Sequence, residues 1–323
     1  MSLGGDCMSV QRLGWRSCQL RWSTTTATGG SYFSVAGSAG KAGQTMGWLS
    51  RCVISGFVVA MVQSIVVASA AEPMITAHRG ASHDAPENTL AAFRLAWQQG
   101  ADAIEGDFRL TADGQVVCIH DADTARTCGV KLIVADTPLA RLRQLDYGRW
   151  KGAEFAGETC PSLPEVLAVV PPGKRLYIEL KTGPEIVPQL ARDLEQSAIS
   201  PAAIVLIAFD EATVIACKKR LPAMKAHWLT AFKETSKGSG DWRPTAATIA
   251  ETVTSCGADG VGMQARPDLI DAAFVETLRK GGVREFHVWT VDRAEDARHF
   301  ASLMAVGITT NRPAIIRESL NEQ

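Results

Sequence analysis

From Ile75 onward, short apolar runs alternate with stretches that place apolar residues three and four apart, and Gly or Pro punctuates most junctions. The apolar runs predict strands at 75–78, 103–107, 116–120, 176–180, 203–208, 225–229, 260–263 and 286–290. The amphipathic stretches predict helices at 89–98, 185–196, 211–220, 245–255, 268–280 and 293–304. Alternation of this kind argues a parallel sheet, and eight strands in about 250 residues fit an α/β fold of the (β/α)8 TIM-barrel type. An open doubly wound sheet is the alternative that periodicity leaves open. Two features disturb the count. Residues 108–115 are too few for a crossover helix, so one βα unit is expected to be stripped to a loop. Residues 306–310 read as a ninth short strand. Residues 121–172 hold a single helix candidate, 139–145, and read as a small inserted subdomain over one end of the barrel, where long insertions shape substrate access.

The first seventy residues follow another pattern. Residues 1–45 are rich in Gly, Ser, Thr and Arg without an apolar period. After Arg51 an apolar run over 52–67 ends in Ala68-Ser69-Ala70. A positive flank, a short apolar core and a small-x-small ending predict a secretory signal peptide at 46–70, cleaved after Ala70. Residues 1–45 then read as an over-extended frame ahead of a start at Met46. The apolar run is shorter than the ~20 residues a membrane span prefers. The expectation is a leader, 1–70, and a barrel domain, 71–323, that is exported to the periplasm or secreted and keeps no stable membrane anchor.

Composition narrows the function classes. With 46% hydrophobic and 21% charged residues the chain is not disordered, and a formal net charge of −1 gives no basic excess to argue for nucleic acid. Residues 1–70 hold five of the 33 basic residues and one of the 34 acidic ones, so 71–323 carry a net −5. Five cysteines remain there, an odd number, of which Cys128 and Cys160 flank one loop-rich stretch and are the pair expected to bridge.

Chemistry collects at the carboxyl ends of the predicted strands. Side chains at i and i+2 share a strand face, so Glu105 and Asp107 point one way, as do Glu179 and Lys181. His78, followed by Arg79, and His120, followed by Asp121, end two other strands. A barrel's active site forms at that rim. Three carboxylates there would repel one another unless they hold a cation, and oxygen-only donors suit Mg²⁺ or Ca²⁺. Two imidazoles titrate near neutrality, and Arg79 and Lys181 suit a phosphate. Together these form a phosphoryl-transfer set. Each residue alone has a plainer reading: a strand-end Glu is commonly a solvated rim residue, and Glu179 with Lys181 can be merely an ion pair. Cys118, one layer below His120, reads as a buried core thiol, and Asn88 and Thr89 as helix caps. His83, His227, His287 and His299 read as structural or surface. What rises above these readings is the coincidence of matching chemistry on four strand ends.

The stretch His78-Arg79-Gly80, Pro86-Glu87-Asn88-Thr89, Glu105-Gly106-Asp107, Thr111-Ala112-Asp113-Gly114 and His120-Asp121 resembles the glycerophosphodiester phosphodiesterase family, and Glu179-Leu180-Lys181 and Val288-Trp289-Thr290-Val291-Asp292 extend the likeness downstream. The resemblance implies a barrel with a small inserted subdomain and metal-dependent hydrolysis of glycerophosphodiesters, such as glycerophosphocholine, to glycerol 3-phosphate and an alcohol. It carries the metal ligands onto Glu105, Asp107 and Glu179, and the acid/base pair onto His78 and His120. Phosphate contacts fall on Arg79 and Lys181, and a glycerol-packing aromatic on Trp289, which read alone is equally a core tryptophan. One divalent cation is implied, Ca²⁺ or Mg²⁺. A lysophospholipase D or another lipid phosphodiesterase on the same barrel is the alternative, and a non-enzymatic phosphoester binder a more distant one. One departure shows: where family members often carry an acidic residue after the last strand, this chain has Asn311.

Overall fold

The structure is a computed structural model that describes residues 72–322; the expected leader and its cleavage site lie outside the described residues. The strands are β1 Met74–Ala77, β2 Ala103–Leu110, β3 Val116–Cys118, β4 Arg175–Leu180, β5 Ile204–Ala208, β6 Lys225–Thr230, β7 Lys233–Glu234, β8 Trp242–Arg243, β9 Gly260–Gln264, β10 Phe286–Trp289 and β11 Gly307–Thr310. The helices are α1 Leu90–Gln98, α2 Ala125–Cys128, α3 Leu139–Leu142, α4 Leu163–Ala168, α5 Val187–Gln196, α6 Glu211–Arg220, α7 Ala246–Cys256, α8 Ala272–Lys280, α9 Ala294–Ser302 and α10 Pro313–Asn321.

Eight strands (β1, β2, β4, β5, β6, β9, β10 and β11) pair in parallel, and β1 closes the ring by bonding to both β2 and β11. This is the (β/α)8 barrel that the alternation predicts, with two changes of membership. The 116–120 run is not a barrel strand: β3 runs antiparallel to β2, Phe108 opposite Cys118 and Leu110 opposite Val116. The short link is therefore a hairpin turn, made at Asp113-Gly114 with Gly114 at φ +74°, rather than a stripped crossover. The eighth barrel strand is β11, from the piece read as a ninth. It is short, but all four of its residues are buried between β10 and β1.

The apolar core lies in the layer between strands and helices. Ile104, Phe93, Leu176, Ile178, Leu190 and Leu206 lie on one side of the ring, and Val261, Val288, Leu278, Phe300, Ile308 and Ile316 on the other. Inside the ring, Ala103, Tyr177, Val205, Ile207 and Leu229 fill the barrel. His227 and His287 join them with Nδ1 atoms 3.2 Å apart. Within 121–172, α4 belongs to the outer ring: Leu163, Val166 and Leu167 enter the main core, and Ser162 and Glu165 form a capping box at its start. The remainder packs a satellite core of Val134, Leu142, Tyr147 and Cys160 against Val117 and Ile119 of the β3 arm. The expected Cys128–Cys160 bridge is not formed. All five cysteines of the described residues are free, and the Cys160 thiol is buried in that satellite core against the Cys118 carbonyl at 3.6 Å.

Candidate active site

Parallel pairing sets Asp107 beside Glu179 across β2 and β4, and Glu105 sits one inward position below Asp107. The three buried carboxylates each present an oxygen within 4.8 Å of the others. At that spacing each like-charged pair repels by roughly 3 kcal/mol for an effective dielectric of about 20. Burial and then the neighbouring Asp107 push Glu179 up to about 7, and burial with Asp107 and Glu179 pushes Glu105 well above the usual range. Asp107 is held low: burial alone would raise it, but Arg79 and Lys181 outweigh that. Arg79 Nε lies 3.1 Å from Asp107 Oδ2, and Lys181 Nζ lies 2.7 Å from Glu179 Oε1 and 3.4 Å from Asp107 Oδ1. The Glu179–Lys181 ion pair thus exists, as the plain reading has it, but inside the cluster. Two cations leave three carboxylates short by one charge. Glu105 Oε1 and Asp107 Oδ1 are moreover buried without a hydrogen-bond partner, a costly state for carboxylate oxygens. The donor set, all oxygen, acidic and partly unsatisfied, can hold a divalent cation.

The turn after β1 delivers His78 and Arg79. Arg79 has φ +57° and Gly80 φ +81°, and a Cβ on Gly80 would sit 2.6 Å from the Ala92 carbonyl carbon, so only glycine lets the turn lie on α1. The turn aims the Arg79 amide at Glu105 Oε2, 2.9 Å away. His78 Nδ1 lies 2.8 Å from Asn311 Oδ1, and the other end of that amide, Nδ2, donates to Asp292 Oδ2 at 2.6 Å. Asp292 accepts only, so the amide orientation is fixed, Asn311 Oδ1 faces the ring, and His78 carries its proton on Nδ1. Burial, then Arg79, holds His78 below its ordinary value.

His120 follows β3, placed by Ile119 N–H donating to the Asp107 carbonyl at 2.8 Å and by Arg109 Nε donating to the His120 carbonyl at 2.9 Å. Its Nδ1 is 2.7 Å from Asp121 Oδ1. Burial lowers the His120 pKa, while Asp107 and Asp121 oppose it. In both histidines Nε2 is left for chemistry. His78, Arg79, Glu105, His120, Glu179, Lys181, Phe209 and Trp289 line one cavity of about 210 Å³, with His287 also on its wall. Seven of the eight sequence-selected side chains thus line this cavity, and the eighth, Asp107, is fully buried against Arg79 and Lys181 within the acidic cluster. Trp289 meets Phe209 edge-on with ring centroids 5.5 Å apart, and its indole N–H is buried and unpartnered.

Sequence reasoning missed several members. Asn88 is not a cap: Thr89 caps α1, accepting from the Ala92 amide, whereas Asn88, at φ +59°, donates from Nδ2 to Asp107 Oδ2 at 2.8 Å and accepts the Asp107 amide at 3.1 Å. Its signal was its place in Pro86-Glu87-Asn88-Thr89. Asp292, in a downstream motif, and Asn311, the one departure, both stand out in the sequence, but 19 positions of separation hide that they pair with each other and that Asn311 faces His78. Cys118 is the core thiol expected, with its S–H on Asn88 Oδ1 at 3.1 Å and its pKa driven up by burial.

An eight-stranded parallel barrel with an acidic cluster, two imidazoles and two cations at its carboxyl rim has the groups that phosphoryl-transfer chemistry uses, and comparison with known proteins assigns the class. Residues 78–315 match the glycerophosphoryl diester phosphodiesterase family. The glycerophosphodiester phosphodiesterase of Caldanaerobacter subterraneus is 32% identical over 245 residues, spanning 74% of this chain and 94% of the relative. A phosphodiesterase of Oleispira antarctica, solved in complex with the product sn-glycerol-3-phosphate, superposes with a TM-score of 0.68 at 26% identity, over 77% of this chain and 97% of that one. A glycerophosphodiester phosphodiesterase from Agrobacterium tumefaciens gives a TM-score of 0.61 at 27% identity, over 76% and 99%. The chain belongs to the glycerophosphoryl diester phosphodiesterase family and is an enzyme of that class.

Proposed function

We propose that this enzyme hydrolyses small glycerophosphodiesters, with glycerophosphocholine and glycerophosphoethanolamine as representatives, to glycerol 3-phosphate and the free alcohol, in a divalent-cation-dependent reaction that uses His78 and His120 as the proton-transfer pair. The observation that carries this reading is the convergence of the acidic cluster, both imidazoles, Arg79 and Lys181 on one cavity. Its ~210 Å³ volume is below the roughly 300–1,000 Å³ of sites that enclose drug-sized ligands. That suits a glycerol phosphate unit, the part that small glycerophosphodiesters present to the site.

Glu105, Asp107 and Glu179 would hold the cation, which when bound supplies charge stabilisation to the non-bridging phosphoryl oxygens. Export of the protein, which the 46–70 pattern supports, favours Ca²⁺ over Mg²⁺. Arg79 and Lys181 add fixed positive charge beside the phosphate. His78, facing a neutral amide and held low by burial, is suited to take a proton at Nε2 from water or from the glycerol hydroxyl. His120, facing the Asp121 carboxylate that stabilises an imidazolium, is suited to give one from Nε2 to the leaving alcohol. Trp289 and Phe209 give the substrate an apolar wall.

The test is release of glycerol 3-phosphate from both substrates, with and without chelator, by wild type, His78→Ala and His120→Ala. Loss of turnover in chelator, its return with added Ca²⁺ or Mg²⁺, and losses of about 10²–10⁴-fold in the two variants are expected. Unchanged release in chelator would overturn the carboxylate assignment, and near-normal His120→Ala activity the acid/base one. Cell fractionation tests export.

A further inference from the structure

We propose that the segment between β3 and α4 holds both histidines in their working orientation through two of its own cations, Arg126 and Lys151; the inference rests on His78 and His120 being the proton-transfer pair. Arg126 belongs to α2. Its Nε donates to Asp121 Oδ2 at 2.7 Å, while the other oxygen of the same carboxylate takes His120 Nδ1 at 2.7 Å. The two remaining guanidinium nitrogens donate to the two oxygens of Glu87, each at 2.8 Å, and Glu87 Oε1 also receives Arg79 at 2.9 Å. One planar group thus bridges the carboxylate that orients His120 and the one that holds the phosphate-side arginine. A fork does this and a point charge cannot.

The second arm reaches His78. Lys151 Nζ donates to the Ser82 carbonyl at 2.8 Å across 69 positions of chain. Ser82 Oγ donates at 2.8 Å to Asn311 Oδ1, the oxygen that also faces His78 Nδ1. Lys151 therefore fixes the β1–α1 loop at the residue that shares the tautomer-setting acceptor.

Exposure decides what these contacts are for. The Arg126 side chain is 46% exposed and the Asp121 side chain 31%. Ion pairs so placed add little to folding. Asp121, left to itself beside water, can rotate away from the imidazole; with Oδ2 taken by Arg126, its plane is set. The satellite core of Val134, Leu142, Tyr147 and Cys160 gives the segment the rigidity to act as a brace. Arg126 and Lys151 are positioning residues: neither lines the cavity.

The experiment uses the full chain saturated with divalent cation and compares Arg126→Gln, Arg126→Lys, Lys151→Met and the double variant. Glycerophosphocholine turnover, Mn²⁺ affinity and the ¹⁵N-resolved imidazole resonances are read together. Arg126→Gln is expected to lower kcat about tenfold, with Mn²⁺ affinity unchanged and the protected Nδ1–H signal of His120 lost to exchange. Arg126→Lys should not restore it. Lys151→Met, which leaves α2 untouched, should lower kcat and broaden the corresponding His78 signal. In a His120→Ala background Arg126→Gln should cost less than it does in wild type, because only its Glu87 arm is then left to lose. Wild-type kcat and unchanged imidazole signals in Arg126→Gln and Lys151→Met would overturn the proposal while leaving the reaction as assigned. Normal turnover by His120→Ala would instead remove the acid/base reading on which it rests.

Discussion

Asn311 faces His78 with its carbonyl oxygen, 2.8 Å from Nδ1, because its amide nitrogen is held by Asp292 at 2.6 Å. The departure from an acidic residue at 311 thus comes with a carboxylate one strand away, at 292, and the acceptor that fixes the histidine is neutral. An amide sets the tautomer without stabilising the imidazolium, which suits a proton acceptor.

Asn311→Leu follows directly. Without the acceptor, His78 is free to carry its proton on Nε2, and the reacting nitrogen is blocked. We expect kcat for glycerophosphocholine to fall about 10²-fold with Mn²⁺ affinity unchanged. Wild-type kcat would show that the amide does not set the tautomer.

The acidic cluster gives the metal-free protein a pH-dependent stability. Glu179, raised to about 7, and Glu105, raised well above the usual carboxyl range, bind protons in the folded state that the unfolded chain has already released. Their contribution is complete below an unfolded carboxyl pKa of about 4.3 and is lost as pH rises through about 7 at Glu179. Thermal melts in chelator should show Tm falling over that window, less steeply in Glu179→Gln. Added Ca²⁺ or Mg²⁺ should abolish the fall in wild type. A flat Tm in chelator would contradict the coupling.

Asn88→Gly keeps the left-handed backbone and removes the amide that orients Asp107. Loss of such an outer partner is expected to weaken divalent-cation binding about 10–100-fold. Mn²⁺ titration measures it, and unchanged affinity would return Asn88 to a purely local role.

Cys118 lies under the site with a buried S–H on Asn88 and a thiol pKa driven up by burial. Turnover should resist iodoacetamide, and Cys118→Ala should retain most activity. Inactivation by the reagent that Cys118→Ala prevents would implicate the thiol in the reaction.

Much of this was readable from the chain. The i, i+2 spacing of Glu105 with Asp107 placed both on one inward face, and strand-end histidines on other apolar runs pointed to the same rim. What failed were judgements that needed a partner strand. Residues 116–118 look like any buried strand, and only pairing reveals that they run antiparallel on β2. Gly307–Thr310 is four residues long, yet becomes a full barrel strand because β1 and β10 flank it. Asn88 has the composition of a helix cap, and its left-handed backbone, which turns it to Asp107, leaves no mark in local sequence. The Asp292–Asn311 pair is local only in space.

The strands that carry the acids, β2 and β4, are hydrogen-bonded neighbours, yet the whole β3 arm and its satellite core are threaded between them in sequence. Exchange of that segment between homologues would therefore leave the acidic cluster of β2 and β4 in place, while His120 and its partner Asp121 travelled with the graft. A transplanted segment would have to bring its own counterparts of Arg126 and Lys151, or the graft would bind metal and turn over slowly.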